Sequence, residues 1–229
     1  MHHVVVRHWH ATVLSSCLAA LSLPVWAERP MAVEDASTME RGSAKVELGW
    51  SKDANLRGWD TSIGYSPLHH VETEVNFGHA RDHSFTPSDT QRAVGAAVKW
   101  VPLQADQGLS AGLKYAYSRD RLDSEQAKYH THRLLALASW TFTAGPSLHL
   151  NLGKTWTRGQ GRVGTWGLGG DMPVLGALVL TLETFGEQER KPAYQAGLRY
   201  QIAEGLKLSM AGGRGNRHNM GNLGIAWEF

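Results

Sequence analysis

Beyond residue 43 the chain alternates large apolar side chains with small or polar ones at a period of two, the spacing of strands with one apolar face. The last segment shows it most plainly: Leu223, Ile225, Trp227 and Phe229 are separated by Gly224, Ala226 and Glu228. Residues 193–202 put Tyr194, Ala196, Leu198, Tyr200 and Ile202 on one face and Gln195, Gly197, Arg199 and Gln201 on the other. Earlier stretches repeat the pattern, among them Val46, Leu48 and Trp50, then Val94, Ala96, Val98 and Trp100, then Leu178, Leu180 and Leu182. Helical periodicity is absent. The pattern predicts an all-β protein of twelve strands, with ten as the alternative because alternation is weakest in the glycine-rich stretch 161–176.

The connections alternate in character. Short, turn-like ones fall at 66–68, 102–108, 144–146, 171–173 and 203–205, and polar ones at 51–58, 79–92, 118–132, 158–162, 187–191 and 214–219. Strict alternation of the two kinds predicts an even-stranded antiparallel barrel over residues 44–229, with both chain ends on the short-turn side.

Alternation alone does not separate a soluble barrel, apolar inside, from a membrane barrel, apolar outside. Aromatic placement does. On the apolar face Tyr65, Trp100, Trp140, Phe142, Tyr200, Trp227 and Phe229 fall at the short-turn ends of the strands. Trp50, Trp59, Phe77, Tyr115, Tyr117, Trp156, Trp166 and Tyr194 fall at the opposite ends of the same face. Two aromatic girdles separated by Leu, Val and Ala suit a bilayer, because an amphipathic ring is most stable at the headgroup level. Lys154 interrupts the apolar face near a strand end, where its ammonium can snorkel to the interface.

Composition then narrows the classes. A mean hydropathy of -0.32 and the lack of an unbroken apolar run of about 20 residues exclude a helical membrane protein. A net charge of +2 argues against a nucleic-acid partner. Residues 1–27 read as an export signal: Arg7 near the start, an apolar stretch over 11–23, Pro24, and Val25-Trp26-Ala27 as the cleavage site. Cleavage after Ala27 removes Cys17, the only cysteine, and with it disulfides, Cys-ligated zinc and thiol catalysis. Residues 28–43 lack alternation and read as a periplasmic extension, either disordered or plugging the lumen.

The signal, the alternating strands and the final Leu223-x-Ile225-x-Trp227-x-Phe229 together resemble Gram-negative outer-membrane β-barrels across the whole chain beyond residue 27. The resemblance implies an outer-membrane location, periplasmic termini, contact with outer-membrane lipids and recognition of the last strand by the barrel-insertion machinery. Glu183-Thr184-Phe185-Gly186, Ala196-Gly197-Leu198-Arg199-Tyr200 and Gly212-Gly213-Arg214-Gly215-Asn216 are similar to closing strands of the MetA-pathway phenol-degradation type of outer-membrane transporters. That similarity implies a transport-like role and no particular ligand residues.

Parity assigns Glu47, Asp60, Glu72, Glu74, Glu183 and Glu228 to the inner face, together with Lys45, Lys99, Lys114, Arg133, Arg199 and Lys207. Around a closed barrel Glu228, Glu47, Asp60, Glu72 and Glu74 form an acidic arc interrupted by Lys45. Lys99, Lys114 and Arg133 follow on the next strands, with Arg199 and Lys207 on the penultimate pair. Such arcs either orient a polar solute in a hydrated lumen or pair with one another and fill it. The expectation is a monomeric narrow channel or transporter for small polar or amphiphilic solutes, without cofactor or metal. Two alternatives stand beside it. One is a lipid-modifying hydrolase drawing on His79, Asp82, His83 and Ser84; the other is a sealed barrel that works through its surface loops. Histidines 79, 83, 130, 132 and 218 fall in the expected outer loops and match no metal-site spacing.

Overall fold

The computed structural model describes residues 28–124, 128–215 and 218–229; residues 1–27, with the expected export signal, lie outside them. Twelve strands follow one another: β1 (Ala44–Lys52), β2 (Leu56–Leu68), β3 (Val71–Asp82), β4 (Asp89–Leu103), β5 (Gly108–Leu122) and β6 (Lys128–Thr141). The second half comprises β7 (Ser147–Thr157), β8 (Gly161–Leu175), β9 (Leu178–Glu187), β10 (Ala193–Ala203), β11 (Leu206–Gly215) and β12 (His218–Glu228). Each pairs antiparallel with its neighbour in sequence, and β12 pairs with β1 to close the barrel. Closure is in register from Lys45↔Glu228 to Lys52↔Gly221. Ala44 and Phe229 exchange both backbone hydrogen bonds, at 2.8 and 2.9 Å. Every ladder edge is thereby satisfied, which an open sheet in lipid cannot achieve.

The burial pattern is that of a soluble protein turned inside out. On β4, Val94, Val98 and Trp100 are exposed while Gln91, Ala97 and Lys99 are buried. On β12 and β1, Leu223, Ile225, Trp227, Val46, Leu48 and Trp50 are exposed, and Ala226 and Glu47 face inward and are buried. Of the interface aromatics, Trp50, Trp59, Trp100, Trp140, Trp166, Tyr200, Trp227 and Phe229 are all exposed on the outer wall. Trp156 is half-buried there because His132 stacks on it at 5.5 Å with the rings 9° from parallel.

Several boundaries differ from expectation. The glycine-rich stretch is a full strand, so the ten-strand alternative falls away. The turn expected at 171–173 lies instead at Gly176–Ala177, where Gly176 takes a left-handed φ of 56°. A register shift between Pro173 and Leu175 accommodates the proline, which has no N–H for the ladder. Most polar connections are also shorter than expected, the exception being the one after β9, which runs over 188–192 against an expected 187–191. Of 79–92 only residues 83–88 lie between strands, and of 118–132 only 123–127. His79, His130, His132 and His218 therefore belong to strands, and only His83 remains in a loop. The physical reason is that the ladder continues past the apolar band: Arg81, Arg92, Arg119 and Arg121 replace apolar residues on the outside, and Asp82, Gln91 and Asp120 occupy the inside. Hydrophobic alternation stops there, but period-two alternation of side does not.

Candidate functional site

The lumen is lined by the charges that strand parity selects and is occupied by the chain's own residues 28–39. Glu34, Val33 and Ala36 are fully or almost fully buried there, at 0%, 1% and 0% exposure. Read backwards from β1, this segment follows the inner wall strand by strand. At the short-turn end, Ser66 of β2 donates from Oγ to the Met39 carbonyl at 3.1 Å, and the Met39 N–H reaches Glu72 Oε2 of β3 at 3.4 Å. Lys99 of β4 pairs with Asp35 at 3.0 Å and Glu34 at 3.3 Å, and Lys114 of β5 pairs with Glu34 at 2.5 Å. On β6 Ser139 Oγ accepts the Ala36 N–H at 2.8 Å. Asn151 of β7 grips Glu34 at both backbone groups, accepting its N–H at 2.7 Å and donating to its carbonyl at 2.8 Å.

The second half of the circuit is held in the same way. Glu183 of β9 accepts the N–H groups of Ala32 and Val33 at 2.8 to 3.0 Å, the local arrangement that fixes an otherwise unpaired backbone. Gln195 of β10 and Asn222 of β12 donate to the Pro30 carbonyl at 2.8 and 3.2 Å. Arg199 of β10 holds Glu28 at 3.0 Å, and Lys207 of β11 pairs with the same carboxylate. Arg29 turns to the acidic wall, pairing with Asp60 and lying 3.6 Å from Glu47.

The segment thus meets each arc of the wall with the opposite charge. Glu28, Glu34 and Asp35 face the bases, and Arg29 faces the acids. Some wall charges also pair directly with each other, as Lys45 does with Glu47 at 3.3 Å and Glu72 at 3.6 Å, and Lys114 with Glu74 at 3.5 Å. The charged arcs are therefore paired in two ways, with residues 28–39 and with one another. Glu228 faces Lys45 across the β1–β12 ladder.

Glycines make the room. A Cβ on Gly167 would lie 2.8 Å from Val33 Cγ2, one on Gly169 2.6 Å from Met31 Cε, and one on Gly197 2.7 Å from Pro30 Cγ. On the facing wall, Cβ atoms at Gly49 and Gly224 would run into the Arg29 side chain. The inward glycines of β1, β8, β10 and β12 thus form a shallow track that fits the segment's backbone and side chains.

Above residues 28–39, toward the polar loops, the lumen opens into a cavity of about 450 Å³ floored by Pro30, Ala32 and Val33. Arg133 projects into it and donates from Nε to Thr155 Oγ1 at 3.1 Å; Glu187, paired with Arg190 at 3.2 Å, stands on the same wall. The floor is neutral and partly apolar, and the rim is charged.

Counting charged residues alone passes over the neutral half of the lining. Ser139, His149, Asn151, Gln195 and Asn222 share the parity of the charged set, and all but His149 bond the backbone of residues 28–39. His149 bridges Ser139 Oγ at 2.8 Å and Asp171 Oδ2 at 3.1 Å. An Nε2–H donated to the Asp171 carboxylate leaves His149 Nδ1 facing Ser139 Oγ, which in turn accepts the Ala36 N–H. The line of three fastens Ala36 to the wall. The Ser84 constellation is similarly local: Ser84 donates from both N and Oγ to Asp82 Oδ1, at 2.8 and 2.6 Å, which makes a turn. Among the loop-end histidines, His130 and His132 hydrogen-bond the Tyr117 and Tyr115 hydroxyls at 2.7 Å, on the outer wall.

Solved structures with this architecture are outer-membrane barrels. The KdgM porin in complex with disordered oligogalacturonate superposes with a TM-score of 0.66 at 12% identity, over 81% of this chain and 99% of that one. The COG4313 outer membrane channel from Pseudomonas putida F1 gives 0.60 at 11% identity, over 85% and 98%. The translocator domain of the autotransporter NalP from Neisseria meningitidis gives 0.53 at 14% identity, over 96% of both chains. At these identities the likeness establishes the fold alone. No curated protein sequence matches the chain. A family model does match, over residues 17–225, nearly the whole length, and the chain belongs to the family described as uncharacterised conserved protein UCP029691.

Proposed function

We propose that the protein is a monomeric outer-membrane barrel of a Gram-negative bacterium that passes small polar or amphiphilic solutes, with residues 28–39 as its plug. The observation that carries this reading is the ordered circuit of contacts between that segment and charges of opposite sign on the wall. The barrel's own ladder is complete without the segment, so the plug can leave while the wall stays folded. Its anchors are chiefly ion pairs and hydrogen bonds, which water replaces on release, with Pro30, Met31, Val33, Ala36 and Met39 adding buried apolar contacts.

With the plug seated, a solute entering from the polar loops stops at Pro30, Ala32 and Val33, and Arg133 offers it a fixed positive charge. With the plug displaced, Lys99 and Lys114 on β4 and β5 and Arg199 and Lys207 on β10 and β11 flank Glu47 and Asp60 of β1 and β2 on either side, and this uneven field orients dipolar solutes as they cross. In this reading the short-turn side, where β1 begins and β12 ends, faces the periplasm, and β12 is the strand presented to the insertion machinery.

Planar-bilayer conductance of the mature chain, compared with a variant lacking residues 28–43, tests the proposal. The mature chain is expected to show rare, brief steps and the truncated barrel sustained ones. Raising salt from about 0.1 to about 1 M increases the open fraction of the mature chain by screening the plug's ion pairs. Silence of both proteins, with no solute flux into vesicles, overturns the channel reading and leaves a sealed barrel.

A further inference from the structure

Among the described residues, every charged side chain on an outward-facing strand position is a base, and every one lies toward the polar-loop end. The density is greatest on β2 to β6, with Arg57, Arg81, Arg92, Arg119, Arg121 and Lys128, all exposed. Strand register packs like charges together: Arg57 lies opposite Arg81, and Arg92 opposite Arg121, which is in turn opposite Lys128. Strands β1, β7, β8 and β11 add one outward base each near the same end.

Like charges directly across a ladder are destabilising, and the neighbouring acids on the same strands do not relieve them. Asp82, Asp89 and Asp120 alternate with these bases along the strands and therefore point into the lumen, where they are buried. Among the described residues, Asp123 alone answers from the rim, 3.1 Å from Arg92 and 3.9 Å from Arg121. The short-turn end of the outer wall is the opposite case, with Tyr65, Trp100, Trp140, Phe142, Tyr200 and Trp227 and no charged strand position.

The bases stand just beyond Trp59, Phe77, Tyr115 and Tyr117, which mark the edge of the apolar band. At that height the neighbouring groups in a bilayer are lipid headgroups, and at the opposite edge the same wall offers them no charge. We infer that this half-ring binds the phosphate groups of anionic lipids in the leaflet around the polar loops. The occupant is a lipid and not a soluble phosphate, because the cations cap a surface that acyl chains cover. Arginine predominates, and its planar fork matches phosphate oxygens in pairs. The two leaflets the barrel meets therefore differ, with the anionic one at the loop end. This inference rests on the membrane reading proposed above.

The test titrates the folded mature barrel, in neutral detergent, with lipid A carrying both phosphates, with the same lipid dephosphorylated, and with inorganic phosphate. Binding to the phosphorylated lipid is expected to be saturable and to fall roughly tenfold or more in the triple variant R81Q/R92Q/R121Q. The dephosphorylated lipid is expected to bind no better to the parent than to the variant. Equal binding of the two lipids, equal affinity of parent and variant, or competition by millimolar inorganic phosphate would overturn the inference, as would tighter binding of a soluble polyanion such as heparin. Heat-resistant migration and protease protection of the parent and variant in vesicles report separately on the barrel. Protected barrels without lipid preference sink this inference alone, whereas loss of protection in the parent sinks both readings.

Discussion

The lower and upper halves of the lumen have the same wall, twelve strands of alternating parity, and opposite contents. Toward the short turns the wall carries inward glycines on β8 and β10 and charges of both signs, and it is filled by a segment with matching bulk and charge. Toward the polar loops the same strands enclose about 450 Å³ of open space with Arg133 and Glu187 on one side. Barrel diameter is set by strand number and shear and does not change along the axis. What differs is whether the side chains form a complementary track. A lumen of this size is therefore closed or open according to local sequence, and occlusion is a property of about a dozen residues, not of the fold.

Changes that break the lower half separate the two most strongly. Glu34 is wholly buried between Lys99 and Lys114, and removing one partner of a buried ion pair costs about 3–5 kcal/mol. Glu34→Gln is thus expected to raise the open fraction of single channels by two orders of magnitude or more, or to its ceiling. Unchanged gating would mean that charge does not hold the plug. Overfilling the track comes next. Gly169→Val puts a branched side chain where Met31 and Val33 already lie, an insertion that costs about 1–3 kcal/mol. The expected result is faster labelling of a cysteine placed at Ala32, in a chain that has no other cysteine once residues 1–27 are removed. A Gly169→Val barrel with unchanged labelling would show that the glycines are not a track.

Smaller effects sharpen the comparison. Ser139→Ala removes the acceptor for the Ala36 N–H and the partner of His149, worth about 1 kcal/mol. A severalfold rise in the same labelling rate is expected, with the barrel's melting temperature little changed. Least of all, Arg133→Gln in the upper half is expected to leave plug labelling untouched and to shift the permeability ratio from anions toward cations by a small factor. An effect of Arg133→Gln on plug labelling would mean that the two halves are coupled.

The strands were legible because burial in lipid and a polar lumen impose opposite chemistry on alternate residues, and Leu223 to Phe229 show it without ambiguity. The charged lining was legible for the same reason: Glu47, Asp60, Lys99 and Lys114 follow from parity. Strand ends were not, because above the apolar band Arg119-Asp120-Arg121 is polar on both faces and a hydropathy pattern reads it as loop. Nor were the contacts of residues 28–39. An extended segment that follows the inside of a barrel has no period of its own, and its partners, such as Asn151, Glu183 and Asn222, lie 117 to 192 residues away. Its alternation of Glu28, Arg29, Glu34 and Asp35 acquires meaning only once the wall has a known order.

That order also bears on how the molecule assembles. The Pro30 carbonyl is held by Asn222 of β12, and Arg29 by Glu47 of β1, so the final contacts of the circuit exist only after the first and last strands have met. Contacts of such sequence separation form late, since the chain between them must be ordered first. The amino-terminal segment is consequently the last part of the chain to become resistant to protease, and the time at which it does so marks the completed circle.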